Sequence, residues 1–319
     1  MKNYIITGCA GFIGSNLVDK ILGQGDRVVG VDNFSTGQER FLEKALTNPH
    51  FHLIKTDLLD LASLKKAFKG GQMVFHLAAN ADVRFGINHP EKDLQQNTIA
   101  TFNVLEAMRD NSIKEIAFSS TGSIYGDSTI IPTPENAPFP IQTSLYGASK
   151  LACEGLIQAY CEGFGFQSWI FRFVSILGER YTHGHVLDFY KKILQSPNEL
   201  SILGDGNQKK SYLYIQDCLD AMLFSIAQFH DQVNILNLGT NEYAKVNDSV
   251  AWITGHLGIK PALKYSGGQR GWVGDNPFIY LDTAKINKAG WQPQLSIKDS
   301  IIKTLVFLQN NQWILETKG

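Results

Sequence analysis

The sequence predicts an α/β protein built on a doubly wound parallel sheet. Two observations carry this. Short apolar runs alternate with helical patterns up to about residue 173, and the runs are apolar at successive positions, as strands covered on both faces must be. A turn with glycines at positions 8, 11 and 14 joins the first run to the first helical pattern, which allows a helix to pack close against the strand it follows.

Taken in order, Tyr4-Ile5-Ile6-Thr7 is the first strand, and Phe12–Leu22 carries helical spacing. Arg27–Asp32 and Phe51–Thr56 are the second and third strands. Ala62–Phe68 is helical, and Met73–Ala78 is the fourth strand. Gln95–Met108 predicts an amphipathic helix, Ile116–Ser119 the fifth strand, Ser149–Gly163 another helix and Ser168–Arg172 the sixth strand. Right-handed crossovers between such units wind a sheet outward in both directions. Beyond residue 173 the loops lengthen around 178–184 and 197–206. Ile235–Leu238 still has the pattern of a core strand, 267–277 is a glycine-rich loop, and Ile297–Leu308 is a closing helix. The expected organisation is a dinucleotide-binding unit over 1–172, to which 210–240 returns, and a smaller interleaved lobe over 173–319 that holds mainly substrate.

The 319 residues carry a formal net charge of −1, and only 18% are charged. A near-neutral chain argues against a duty on nucleic acid or anionic lipid, where a basic surface is expected. With 44% hydrophobic residues, disorder is excluded as well. The four cysteines, Cys9, Cys153, Cys161 and Cys218, form no CxxC pair, and the eight histidines show no zinc spacing beside them. Reduced thiols, a cytoplasmic location, no metal and no membrane span are expected. Ile6-Thr7-Gly8-Cys9 has the outline of a lipoprotein cleavage site. It lacks the preceding apolar core of roughly 7–15 residues, so no signal peptide is expected.

Residues 7–14 read Thr-Gly-Cys-Ala-Gly-Phe-Ile-Gly, a GxxGxxG spacing. In such a turn the first glycine bends the chain, the second lets backbone N–H groups reach a pyrophosphate, and the third seats the helix. The helix N-terminus adds partial positive charge. Asp32 ends the second strand, where a carboxylate accepts from ribose 2′- and 3′-hydroxyls and repels a 2′-phosphate. No Arg follows in Asn33-Phe34-Ser35-Thr36, so NAD is favoured over NADP. Asp57 is a candidate for the adenine edge, or equally a helix cap. Tyr146 and Lys150 share a face at i, i+4. A phenol has a pKa of about 10, and a nearby ammonium and a nicotinamide cation would both lower it.

A Ser/Thr cluster, Phe118 to Gly126, precedes that pair. With it the chain resembles an extended short-chain dehydrogenase/reductase of the nucleotide-sugar epimerase/dehydratase family, which has a Rossmann-type sheet. The match runs nearly end to end. It includes GxxGxxG at 8–14, Asp32, His76 to Ala79, Asn97, Tyr146 with Lys150, Gly204-Asp205-Gly206, Asp217, Asp282 and Gly290-Trp291. The resemblance implies a triad of Thr121, Tyr146 and Lys150. Thr121 hydrogen-bonds the sugar hydroxyl and Tyr146 removes its proton as hydride leaves for NAD. Lys150 also donates to the nicotinamide ribose. His76 is better read as packing. The implied NAD contacts are Gly8, Gly11, Phe12, Ile13, Gly14, Asp32, Asn33, Asp57, Leu58, Leu77, Ala78, Ala79, Tyr146 and Lys150. The implied substrate contacts are Arg84, Thr121, Ser123, Ser175, His185, Val186, Lys210, Tyr212, Arg270 and Asp275. Relatives often form homodimers through helices at about 95–108 and 147–163.

Departures from the family pattern narrow the reaction. The 4,6-dehydratases have Asp-Glu directly after the Thr, and glucuronate decarboxylases keep the Glu. Here those positions are Gly122 and Ser123, and neither titrates. No Cys or His acid of the 3,5-epimerising members lies between Phe118 and Tyr146. Oxidation at C4 and hydride return to the other face remain, giving a nucleotide-sugar 4-epimerase. For the sugar, Ser175 leans toward glucuronate, whereas Thr182 stands where an Arg would meet its carboxylate, with Arg180 and Arg84 nearby. Lys210 and Arg270 are the diphosphate cations, and Tyr212 and Trp272 are pocket walls or core. Epimerisation at another carbon, a net dehydrogenase, and a non-catalytic NAD sensor are the alternatives. Intact Tyr146 and Lys150 argue against the last.

Overall fold

The computed structural model describes residues 1–83, 85–139, 141–271, 276 and 278–316. Its centre is a seven-stranded, wholly parallel sheet. The strands along the chain are β1 (Asn3–Thr7), β2 (Arg27–Asp32), β3 (Phe51–Lys55), β4 (Met73–His76), β5 (Glu115–Thr121), β6 (Gln167–Phe173), β7 (Ser175–Leu177), β8 (Glu199–Ile202), β9 (Lys209–Lys210), β10 (Tyr212–Tyr214) and β11 (Val233–Leu238). After them come β12 (Ala244–Lys245), β13 (Ala262–Tyr265) and β14 (Phe278–Ile279). The central sheet runs β11-β6-β5-β4-β1-β2-β3. Small sheets pair β7 with β10, β8 with β13, and β9 with β12 and β14.

The period of a strand explains the two layers. Ile5 and Ile6, Val74 and Phe75, Ile116 and Ala117, Ile170 and Phe171 point alternately to opposite faces, and each residue falls in one of two apolar cores. One core takes Leu17, Val18 and Ile21 of the helix Phe12–Gly23 with Leu219 and Met222 of Ile215–Gln228. The other takes Leu64, Val104, Met108, Cys153 and Ile157 from the helices Leu61–Ala67, Ala100–Asp110 and Leu145–Phe164.

Strand order reverses between β1 and β4, which opens a crevice at their carboxyl ends. The turn Gly8–Gly14 and the segment Leu77–Ala79 meet there.

Two helices differ from expectation. The one expected over Gln95–Met108 is a π-helical turn, Leu94–Ile99, running into Ala100–Asp110. The wider turn carries Asn97, whose buried amide reaches three elements at once. The helix expected to begin at Ser149 begins at Leu145, because the Ser144 hydroxyl caps it by accepting from Gly147 N–H at 3.0 Å. That places Tyr146 in its first turn. Among the described residues no helix is long and apolar enough to cross a membrane, and no cluster of His, Cys, Asp and Glu has a metal-holding arrangement. All four cysteines are buried and free.

Candidate active site

The glycine turn is shaped by contact with its neighbours. Gly8 has φ +70°, and a Cβ there would lie 2.8 Å from Ala78 Cα. A Cβ on Gly14 would lie 2.0 Å from the Gly8 carbonyl oxygen. Gly11, by contrast, meets only that carbonyl, at 3.2 Å, so its other side is open. It also begins the helix Phe12–Gly23 with no side-chain cap. The first N–H groups of that helix, on Phe12 and Ile13, have no intrahelical acceptor, which suits them to a phosphate. Phe12 itself is buried and Ile13 partly so.

Asp32 sits at the end of β2, 9% exposed. Its Oδ1 accepts from Phe34 N–H at 2.8 Å and Oδ2 from Ala10 N–H at 2.9 Å. Burial raises its pKa, and these N–H groups oppose the rise. Each oxygen keeps a lone pair for a ribose hydroxyl. A Cβ on Gly37 would lie 2.8 Å from Oδ1, so the loop closes tightly over the carboxylate. Asp57 accepts from Asn33 Nδ2 and from Leu59 N–H, both at 2.8 Å. It pins Asn33 beside Asp32, while Asp60 is the cap of the next helix. Leu58 is buried, and its carbonyl accepts from Asn103. Leu77, Ala78 and Ala79 are partly exposed at the mouth of the crevice. An uncapped helix start, an open Gly11 face and a carboxylate with lone pairs to spare together fit a dinucleotide.

β5 delivers Thr121 to the same crevice. The Thr121 hydroxyl accepts from Ser123 N–H at 3.1 Å and donates to Ser123 Oγ at 3.2 Å. It also acts on the Tyr146 phenol, favouring the ionised form. Lys150 is 2% exposed, donates to the Ser119 carbonyl at 2.8 Å and lies 4.6 Å over the Phe118 ring. Burial lowers its pKa to about 8, with Cys153, Glu154 and Asp93 opposing. Tyr146 corrects an expectation. Burial pushes its phenol up to about 12, against the hydrogen bond with Thr121, and Lys150 is not among the groups that move it. The ammonium is turned toward Ser119, so the chain by itself does not acidify the phenol.

His76 is fully buried between Thr7 Oγ1 at 2.7 Å and Thr101 Oγ1 at 2.9 Å, and burial lowers its pKa to about 3. It is structural. The helix of Tyr146 is anchored by an ion pair that the sequence did not disclose. Arg172 of β6 donates to both Glu154 oxygens at 3.1 and 2.7 Å, and both side chains are 1% exposed. Ser120 donates to the same carboxylate, and Arg172 also donates to the Tyr125 hydroxyl at 2.6 Å.

On the opposite wall, Ser175 is exposed. His185 opens the helix His185–Gln195 and its ring centroid lies 4.8 Å from that of Tyr212. Burial, with Lys210 nearby, lowers the His185 pKa to about 3. Its Nε2 has no partner among the described residues. Tyr212 is 4% exposed and belongs to the core layer behind the wall. Val186 is a correction: it is fully buried in that core, because the helix turns it away from solvent, and its side chain is not a substrate contact. Arg180 is another. Its guanidinium is held by Asp19 at 2.6 Å, on the helix Phe12–Gly23. Lys210 donates to the Asn276 carbonyl, and Asn276 donates to the Gly126 carbonyl. Arg270 is paired with Asp127 at 2.5 Å. Arg84, Trp272 and Asp275 lie outside the described residues.

Comparison with known proteins agrees with this geometry. The model of the NAD dependent epimerase/dehydratase family matches residues 4–239. A UDP-glucose 4-epimerase of Mycolicibacterium smegmatis is 29% identical over 96% of this chain and 98% of its own. A crystal structure of a UDP-galactose 4-epimerase superposes with a TM-score of 0.87 at 35% identity, over 98% of this chain and 100% of that one. The Bacillus cereus UDP-glucuronic acid 4-epimerase, solved with UDP-glucuronic acid and NAD, superposes with a TM-score of 0.89 at 25% identity, over 97% and 99%.

Proposed function

This chain belongs to the NAD dependent epimerase/dehydratase family, and on that premise we propose that it is a nucleotide-sugar 4-epimerase acting on a UDP-hexose of the glucose/galactose type. Its cofactor is NAD. The observation that carries the reading is Gly122. It directly follows Thr121, is buried, and would place a Cβ 3.2 Å from Ile279 and 3.4 Å from Leu281. Where a dehydratase holds a carboxylate, this chain has no such group, and a side chain there would be tightly packed. Its neighbour Ser123 is engaged with Thr121.

In this reading Gly8, Gly11, Phe12, Ile13 and Gly14 seat the pyrophosphate, Asp32 holds the adenosine ribose, and Leu77–Ala79 wall the crevice. When bound, NAD accepts a hydride from C4 and returns it. The chain's own residues handle the proton and the geometry. Thr121 and Tyr146 grip the C4 hydroxyl, Tyr146 takes its proton as a general base, and Lys150 holds the ribose and supplies positive charge. The keto sugar then turns between the Thr121 loop and the wall that His185 forms, with Tyr212 packed behind it. Tyr146 returns the proton to oxygen as C4 is reduced on its other face. Lys210 and Arg270 meet the diphosphate. Thr182 stands where an Arg would meet a uronate's carboxylate, which favours a neutral hexose over a uronate. Residues 1–172 with 210–240 serve the dinucleotide and the rest of 173–319 mainly the substrate. Leu94, Ile99 and Phe102 stand exposed on the 94–110 segment, which supports a homodimer through that face.

NMR of the purified protein with UDP-, GDP-, CDP- and TDP-sugars tests the reaction. C4 epimers should interconvert without net NADH. NADH accumulating with no epimer would overturn the reading. Tyr146→Phe should cut turnover by about 10²–10⁴-fold with NAD still bound, and near-normal turnover would remove Tyr146 from its role.

A further inference from the structure

Among the described residues, one buried carboxylate that the reaction leaves unused keeps an oxygen without a partner. Asp93 is 1% exposed and ends the short helix Pro90–Asp93, at the entry to the π-helical turn. Its Oδ1 accepts from Asn80 Nδ2 at 2.9 Å and from Asn97 Nδ2 at 3.3 Å. Its Oδ2 has no partner among the described residues. Gly86 is pressed against that oxygen, since a Cβ at position 86 would lie 2.2 Å from it. A half-satisfied buried carboxylate is costly, and a fold that only needed a filler would hold an amide or an apolar side chain there.

The two amides lead in different directions. Asn80 follows the cofactor-side segment Leu77–Ala79, and its N–H donates to Asn97 Oδ1 at 2.9 Å. Asn97 donates to Ser149 Oγ at 2.8 Å, and Ser149 Oγ donates to the Tyr146 carbonyl at 2.9 Å. The wall of the cofactor crevice and the first turns of the Tyr146–Lys150 helix therefore meet on one carboxylate. Asp93 also acts on the pair through space. Its charge favours the ammonium on Lys150 and the neutral phenol on Tyr146. The charged groups that face it in return are Asp82, from the segment after β4, and Lys150, from the 145–164 helix. Its own short helix adds Glu91, exposed, and Lys92, part-buried, and neither the 94–99 turn nor Gly86 adds any.

We propose that Asp93 is a positioning residue of this active site, tying the cofactor-side loop to the catalytic helix through Asn80, Asn97 and Ser149 and setting the charge that Tyr146 and Lys150 feel. The kinetic half of the test rests on the epimerase reading, and the spectroscopic half does not. The test uses Asp93→Asn in the NAD-loaded protein, which keeps the shape and removes the charge. The titration of Lys150 is followed by NMR of ¹³C-labelled lysine ε-carbons and assigned with Lys150→Arg. Loss of a neighbouring carboxylate should move that titration to lower pH. The acid limb of kcat/KM should move the same way, giving about three- to ten-fold more activity at the low-pH end relative to the variant's own plateau. A Lys150 titration and a pH profile that superimpose on the parent's would overturn the proposal. A shifted titration in a protein that epimerises nothing supports the proposal while overturning the epimerase reading. If Asp93→Asn fails to fold, Gly86→Ala displaces the carboxylate without removing it. It too should shift the Lys150 titration, and a parent-like titration would overturn the proposal.

Discussion

Lys150 donates from Nζ to the carbonyl oxygen of Ser119 at 2.8 Å, which holds its ammonium at the end of β5. The phenol accordingly feels burial more than it feels charge, and sits at about 12, while Lys150 sits at about 8. The base form of Tyr146 is therefore scarce at neutral pH and grows as pH rises, whereas the ammonium is lost as pH passes about 8. We expect kcat/KM to climb from acid toward mildly alkaline pH and then to flatten or fall as Lys150 deprotonates. Lys150→Arg should remove the alkaline decline, since a guanidinium keeps its proton. A pH–rate series on both proteins checks this, and activity highest at acid pH would contradict it.

The Arg270–Asp127 pair lies on the proposed diphosphate side, with both groups exposed. A diphosphate must compete with Asp127 for that guanidinium. Arg270→Ala should raise KM about ten-fold or more, as expected for loss of a charge-assisted hydrogen bond, with kcat less affected. Asp127→Asn should lower KM by releasing Arg270. Steady-state kinetics with UDP-glucose separates the two, and a KM unchanged in both variants would take Arg270 out of substrate binding.

The Glu154–Arg172 pair fastens the Tyr146 helix to β6. Breaking a buried pair leaves an uncompensated charge, at a cost of about 3–5 kcal/mol. Glu154→Gln should lower stability toward urea by that order, far more than Glu106→Gln at the part-exposed Arg109 pair. Comparable losses in the two variants would show that the buried pair has no special weight.

His76 is held neutral between two threonines, with its pKa lowered from 6.5 to about 3 by burial, and Lys150 adds to the shift. The unfolded chain binds that proton at a higher pH than the folded one. The contribution of His76 to stability is thus present above pH 6.5 and is lost as pH falls toward 3. His185 adds a loss of the same sign over the same window. Thermal midpoints across this range should fall with acid, and less steeply in His76→Asn. Parallel slopes would show that the imidazole is not the titrating group.

Local pattern was enough for the parallel sheet and for placing Tyr146 and Lys150 on one helix face. Strand periodicity, glycine spacing and an i, i+4 pair are all read within a few residues. Both helix boundaries that moved did so for reasons that propensity does not weigh, a serine cap at Ser144 and a π-helical turn around Asn97. The unread part of the site lies in long-range contacts. Glu154 and Arg172 are 18 residues apart, and Arg270 and Asp127 are 143 apart. The Asp93–Asn97 pair did carry a signal, a carboxylate four residues before an amide, but i, i+4 polar pairs are common on exposed helix faces and only burial singles this one out.

The sequence by itself determined the chain's fold class, and it singled out the glycine turn, the proposed catalytic pair and the lack of titratable groups after Thr121, because these depend on residue type at short spacing. Only the tertiary structure decided that Val186 faces the core, that Arg180 pairs with Asp19, that burial keeps Tyr146 a weak acid while Lys150 donates to Ser119, and that Asp93 is buried. Those outcomes depend on which distant surfaces come together, and so on desolvation and pairing that no local pattern contains.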